Sequence, residues 1–381
     1  MSVSEEVPAA DFLDGYPHPR EARKIFGQDK AIASFLDAWK SERLHHAWLM
    51  RGAQGVGKAT LAYRIARTLI AQVPREESIL GPTGSVVADS LDPPKDCPVQ
   101  ARIQAQSEPR LFVLRREFDV DKKRLQTQIT IDNVRRLRQF LGLSATDGGW
   151  RVIIVDPVDE MNRSSANALL KFLEEPPAST VFLLVSHAPA GLLPTIRSRC
   201  RTLDLFPLKP DALAWALEQA GAEVPRADAG ALAILAGGSA GRALRLTTGD
   251  GLALYLRIAG LFGEGGRLDR AGITTLAEAC AGRQGSDRYR IVLDLVQVFV
   301  ARLARAGATG VLADPAVPGE ADLFAKVASK REHGILWAEA LARINTSTRH
   351  ALAVNLDPAQ CVIDTLLELD ATLDRVRSVA A

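Results

Sequence analysis

The sequence predicts an α/β domain built on a parallel sheet, then a small helical unit, then a longer all-helical stretch. Three observations carry this. A glycine-rich G-x-x-x-x-G-K motif, Gly52 to Lys58, lies between a short apolar run and an amphipathic segment. Up to Pro207, short β-branched runs alternate with segments of helical periodicity, the pattern of strands covered on both faces by crossover helices. Beyond Pro207 the strand-like runs vanish and Ala/Leu-rich helical patterns replace them.

The elements follow in order. Residues 1–20 are polar and proline-containing and read as a flexible arm. Residues 21–206 form the α/β domain. In it, Ile32, Phe35, Leu36 and Trp39 recur at helical intervals. "HAWLMRG" reads as a buried strand entering a Gly turn, and Leu61, Ile65 and Leu69 then line one helix face. Residues 73–110, rich in Pro, Gly, Ser and Asp, read as an irregular insertion. "RLFVLRRE" resembles a strand, and Thr130 and Asp132 supply a helix start ahead of Val134, Leu137 and Leu141. "RVIIVD" and "TVFLLVS" read as buried parallel strands flanking the helix "SANALLKFLEEPP". Residues 207–262 form the small helical unit and 263–381 the longer helical domain.

Bulk properties agree. A chain of 381 residues exceeds one average core, so two or three domains are expected. At 47% hydrophobic and 24% charged residues, a disordered chain or fibre is excluded. A net charge of +2 gives no global basic field, so nucleic-acid contact would need local patches. Cys97, Cys200, Cys280 and Cys361 are far apart and never at C-x-x-C spacing, which argues against zinc and suits a reducing compartment. The acidic start "MSVSEEVPAADFLDG" lacks a signal-peptide core, and no uncharged apolar run is long enough to span a bilayer. A cytoplasmic location is expected.

The motif from Gly52 through Gly55 and Gly57 to Lys58 has the glycines that let backbone N–H groups converge on phosphate oxygens, and a lysine to reach the terminal phosphates. The next position usually carries a hydroxyl that ligates Mg²⁺. Here it is Ala59; Thr60 follows about 100° around the helix and is no simple substitute. Asp156 ends its apolar strand, where a second Mg²⁺ contact belongs, but Pro157 occupies the place of a water-activating glutamate. Asp159 and Glu160 would reach the site only through a bulge and read as a solvated helix start. In "LLPTIRSRCRTL", Arg197, Arg199 and Arg201 cluster after the last apolar run. These residues alone leave two readings open, a trans-acting arginine finger and a basic surface turn. Cys200 has no evident base partner and reads as a structural thiol.

"HHAWLMRGAQGVGKATLAYRIARTL", "NALLKFLEEPP" and "LLPTIRSRCRTLDLFPL" together resemble the bacterial clamp-loader ATPases of the AAA+ class, over residues 20 to 250. The resemblance implies a RecA-like P-loop domain, a helical lid over 207–262 and a collar over 263–381 that joins a heteropentamer with motor and delta subunits. It implies action on the sliding clamp and primed DNA. By the same resemblance Arg199 is the finger in trans with Arg197 its helper, Phe26 and Gly27 border the adenine, and Ser186 takes the first sensor position. Gly241 stands where a lid arginine is expected, with Arg242 one place later. A zinc module common in relatives would lack metal here, since the insertion holds only Cys97. These departures imply an accessory subunit that binds ATP or ADP weakly or not at all. A working motor ATPase is the nearer alternative; a metabolic P-loop transferase, lacking any visible acceptor site, is the remoter one. Lys122, Lys123, Arg124, Arg135, Arg136 and Arg138 are read equally as DNA contacts or as a solvated face.

Overall fold

The computed structural model describes residues 12–41, 43–72, 90–91, 97–119, 121–142, 149–263, 267–282, 286–354 and 356–380. Most of the insertion and the first eleven residues of the arm lie outside them. The chain divides into two compact units, Met1–Ala222 with Gly238–Gly241, and Glu223–Gly237 with Arg242–Ala381.

The first unit contains, in order, α1 (Asp29–Lys40), β1 (Ala47–Arg51), α2 (Lys58–Ala71), α3 (Pro98–Gln104), β2 (Leu111–Leu114), β3 (Phe118–Asp119), β4 (Arg124–Leu125), α4 (Ile131–Gly142), β5 (Arg151–Val155), α5 (Arg163–Glu174), β6 (Thr180–Ser186), α6 (Pro194–Arg197), β7 (Arg201–Asp204) and α7 (Pro210–Gln219). Five strands form one sheet in the order β2-β5-β6-β1-β7, every pair parallel. The expected α/β class with a parallel sheet is therefore the observed one. β1 lies between β6 and β7, in register Arg51 with Ser186 and Arg51 with Asp204. The crevice beyond the carboxyl ends of such strands, where the strand order reverses, is the usual ligand site of this architecture.

The side chains of the strands alternate between two cores. Trp48, Met50, Val152, Ile154, Val181, Leu183 and Val185 face α1 and α2, packing on Phe35, Leu61, Ile65 and Leu69. Ala47, Leu49, Ile153, Val155, Phe182 and Leu184 face the other way, onto Val134, Leu137, Leu169 and Leu173 of α4 and α5. Each such large apolar side chain contributes about 1.5–3 kcal/mol when fully buried. At the start of α4, Asn133 Oδ1 accepts from the Thr130 amide at 2.7 Å. This is half of a capping box, and the helix starts where Thr130 was expected to start it.

Two features depart from the sequence expectation. The segment 73–110 is not irregular throughout: α3 forms at its end with Val99 and Ile103 buried. The arginine turn leads directly into β7, an edge strand in which only Leu203 points inward.

The second unit contains α8 (Arg226–Ala236), most of α9 (Ala240–Thr248), α10 (Gly251–Gly260), α11 (Arg270–Glu278), α12 (Ser286–Thr309), α13 (Glu320–Val327), α14 (Arg331–Val354) and α15 (Pro358–Ala380), so its described elements are helical. α12 and α14 cross at two glycines: a Cβ on Gly334 would lie 2.3 Å from the Ala308 nitrogen. Buried Glu320 accepts from Tyr255 Oη at 2.5 Å and from Arg302 Nε at 2.9 Å. Burial and that carboxylate push the Tyr255 phenol upward. No helix among the described residues is long and apolar enough to cross a membrane.

Candidate functional site

The loop from Gly52 to Gly57 joins β1 to α2, in the crevice at the carboxyl ends of the strands. Its shape depends on close backbone approach. A Cβ on Gly52 would lie 2.4 Å from the Leu205 carbonyl oxygen. A Cβ on Gly55, whose φ is +78°, would lie 2.4 Å from Ser239 Oγ and 3.0 Å from the Gly241 backbone.

Every carbonyl of this loop has a donor from its own chain. Lys58 Nζ donates to Gly52 O at 2.7 Å and to Ala53 O at 2.6 Å. Ser239 Oγ donates to Gln54 O at 2.8 Å, and the Gly241 amide donates to Gly55 O at 3.0 Å. Gln28 Nε2 donates to Val56 O at 3.1 Å, and the Leu61 amide donates to Gly57 O at 2.9 Å. Gln28 is buried, and its side chain also pairs with both backbone groups of Phe206. It thus pins the loop to the segment leaving β7. Sequence reasoning missed Gln28 and Ser239, because neither carries a motif signal of its own.

Lys58 is 3% exposed. Burial pushes its ammonium down to about 8, against the upward pull of Asp156 and Asp159. Asp156 directly follows β5 and is buried, near enough to Lys58 for its charge to act on the ammonium. Ala59 and Thr60 follow in the first turn of α2, both half-buried. Ile25 covers Gly57, with its Cδ1 3.4 Å from the Cβ position there. Beside it Phe26 packs on Trp215 with ring centroids 6.1 Å apart, and Gly27 abuts Leu208 and Ala212.

Asp159 and Glu160 are both half-buried, and each is engaged by other groups of the chain. Asp159 Oδ1 accepts from Ser186 Oγ at 2.7 Å, and its Oδ2 accepts from the His187 amide at 2.5 Å. It ties the exit of β5 to the end of β6. Glu160 pairs with Arg116 Nε, while its burial raises its carboxyl above the ordinary range. The turn Val158–Glu160 directs both acids sideways, which a linear motif cannot reveal. His187 Nδ1 is buried without a hydrogen-bond partner. Burial, then Lys58, push that imidazole down to about 4.

The donor set suits a phosphate better than a metal. The loop and Lys58 offer positive groups, but a methyl group at Ala59 and a proline at Pro157 supply no oxygen ligand. Lys58 would also have to leave two carbonyls to reach a phosphate.

The arginine turn is separate from these contacts. Arg197 is exposed at the end of α6. Arg199 Nη2 lies 2.8 Å from Glu174 Oε1, and its Nη1 donates to Thr195 O at 3.0 Å. Burial pushes the Cys200 thiol up to about 12, which agrees with an inert thiol. Arg242, in the second unit, donates to the Asp294 carbonyl at 3.3 Å. Among the basic residues, Lys122 pairs with Asp119, Arg135 with Asp132 and Arg136 with Glu117. Lys123, Arg124 and Arg138 are exposed. The β3–β4 hairpin, too short to be seen as strands in the sequence, presents Lys122 and Arg124 on a cavity of 250 Å³.

The family model described as "DNA polymerase III, delta subunit" matches residues 27–209. The DNA polymerase III subunit delta' of Pseudomonas aeruginosa is 37% identical over 155 residues, covering 41% of this chain and 41% of that protein. The subunit delta' of Escherichia coli is 33% identical over 224 residues, covering 58% and 59%. The subunit tau of Salmonella typhimurium is 29% identical over 200 residues, covering 52% and 28%. The chain spans about half the length of the delta' relatives it matches.

Proposed function

We propose that this chain, whose residues 27–209 match the family model and which resembles several delta' subunits, is a DNA polymerase III clamp-loader subunit of the accessory, delta' kind. In this reading it helps place the sliding clamp on primed DNA in the cytoplasm. It hydrolyses little ATP itself and lends Arg199 to the ATP site of a neighbouring motor subunit.

One observation carries the reading. The chain keeps Lys58 and Asp156 but has Ala59 and Pro157 beside them, where a metal ligand and a water-activating acid belong. Supporting it, Lys58 rests on two loop carbonyls and Asp159 is consumed by Ser186 and His187. If nucleotide is held, the Gly52–Lys58 loop takes its phosphates, Ile25, Phe26 and Gly27 border its base, and Thr60 and Asp156 flank it. No zinc is expected.

Arg199 acts elsewhere. Its guanidinium would meet phosphoryl oxygens of the neighbour's nucleotide as charge accumulates there, with Arg197 adding to the local positive field. Such a finger is worth about 10³ to 10⁵ in rate. The helices of the second unit would supply the lid and the collar that join motor and delta subunits. Lys123, Arg124 and Arg138 would meet DNA phosphates, a contact that carries no sequence information.

The deciding experiment is reconstitution with motor subunits, clamp and primed DNA. Arg199→Ala should lower ATP turnover by about 10³ while the complex stays assembled. Unchanged turnover in an intact complex removes the finger. The motor reading draws support from the likeness to tau and from the retained Lys58 and Asp156. Steady Mg²⁺-dependent turnover by the isolated protein would establish it instead.

A further inference from the structure

We propose that Glu174 is a positioning residue for Arg199. Its carboxylate holds the guanidinium at the surface so that the remaining N–H groups face a phosphate on the neighbouring subunit. This rests on the finger reading above and goes one residue beyond it.

Two anchors from different elements fix the guanidinium. Glu174, the last residue of α5, takes Nη2 at 2.8 Å, and Thr195 O in α6 takes Nη1 at 3.0 Å. A guanidinium carries five N–H donors in a planar fork. The two anchors use one hydrogen on each of two nitrogens and leave the other three donors, Nε–H among them. An arginine already anchored in this way loses less freedom on meeting a phosphate than one that is loose. The carboxylate also repels an anion from its own edge of the fork, which directs phosphate to the opposite edge.

Glu174 is itself well placed. Leu169 and Leu173 are buried and seat α5 on the sheet. His46 Nε2 donates to the Leu173 carbonyl at 3.0 Å and ties the end of α5 to the entrance of β1. The Glu175 amide closes on Lys171 O before Pro176 and Pro177 stop the helix. Folding stability does not explain the pair: Arg199 is 34% and Glu174 46% exposed, and exposed ion pairs contribute little.

The test reads kcat and KM for ATP in the reconstituted complex with motor subunits, clamp and primed DNA. Glu174→Gln should lower kcat about fivefold with KM unchanged, the size expected of one exposed ion pair. Glu174→Asp should recover part of that loss. Glu174→Gln should add nothing on top of Arg199→Ala, since the cycle then has no finger left to orient. Wild-type kcat for Glu174→Gln, or a loss that adds in full to that of Arg199→Ala, overturns the positioning role and leaves the finger standing. Wild-type kcat for Arg199→Ala overturns both.

Discussion

The amide of Gly241 donates to the carbonyl of Gly55 at 3.0 Å, joining the segment after α8 to the middle of the phosphate loop. Backbone meets backbone here: a Cβ on Gly241 would lie 3.0 Å from Gly55 Cα. With Ser239 on Gln54 and Lys58 on Gly52 and Ala53, the loop is held by its own chain.

That closeness predicts the cost of a methyl group. Gly55→Ala must adopt a φ of +78° and place its Cβ 2.4 Å from Ser239 Oγ and 3.0 Å from the Gly241 backbone. Gly221→Ala shares the unfavourable φ, at +76°, but meets nothing within 4 Å. The control should lose about 1 kcal/mol and Gly55→Ala about 3 kcal/mol, measured by urea unfolding. Equal losses would show that the Gly241 contact does not constrain the loop.

Gln28 should matter as much to the loop as any glycine. Its side chain makes three hydrogen bonds to Val56 and Phe206 backbone while 2% exposed. Gln28→Ala leaves the buried Val56 carbonyl and the partly buried Phe206 carbonyl without this donor and should cost about 3 kcal/mol. Gln28→Glu should cost more, because it turns a donor into a second acceptor against two carbonyls. Denaturant midpoints check the order; a Glu variant as stable as wild type would contradict the hydrogen-bond assignment.

How far the sequence reaches can be judged from such residues. Gly52 and Lys58 were legible because short spacing along the chain fixes a loop and its lysine, and Asp156 because it follows an unbroken apolar run. The main parallel strands were legible because both faces are buried and their apolar runs are unbroken. β7 was hidden: of its four residues only Leu203 is buried, and an edge strand with one inward side chain leaves no periodicity to read. Gln28 and Ser239 were invisible for another reason. Their partners lie 178 and 185 residues away, and single polar residues announce no such contacts. Asp159 was misread as solvated because the turn after Pro157 sends it toward Ser186 rather than outward.

His187 gives a pH signature. Burial and Lys58 hold its folded value at about 4, below the ordinary 6.5. Between those values the unfolded chain binds a proton that the folded chain refuses. The group's contribution is therefore complete above pH 6.5 and is lost as pH falls toward 4. From pH 7 to pH 5 the protein should lose about 2 kcal/mol more than His187→Asn does. Urea titrations at the two pH values measure this. Parallel losses in both proteins would mean that His187 is hydrated in the folded state.

The proposed nucleotide site yields the last prediction. A P-loop protein gains nucleotide affinity from Mg²⁺ through a hydroxyl after the lysine and an acid at the strand end. With Ala59 and Pro157 in the chain, the isolated protein should bind ATP with an affinity indifferent to Mg²⁺ and release no phosphate above a blank. Ala59→Thr restores one ligand, and its ATP affinity should become Mg²⁺-dependent by calorimetry. Adding Pro157→Glu should give measurable turnover only if Lys58 can leave the Gly52 and Ala53 carbonyls. Raising the pH from 7 to 9 should weaken ATP binding, because Lys58 in the free protein loses its proton near 8 and the phosphate must then recover it from solvent. Mg²⁺-dependent binding with phosphate release by the unaltered protein alone would make it a motor.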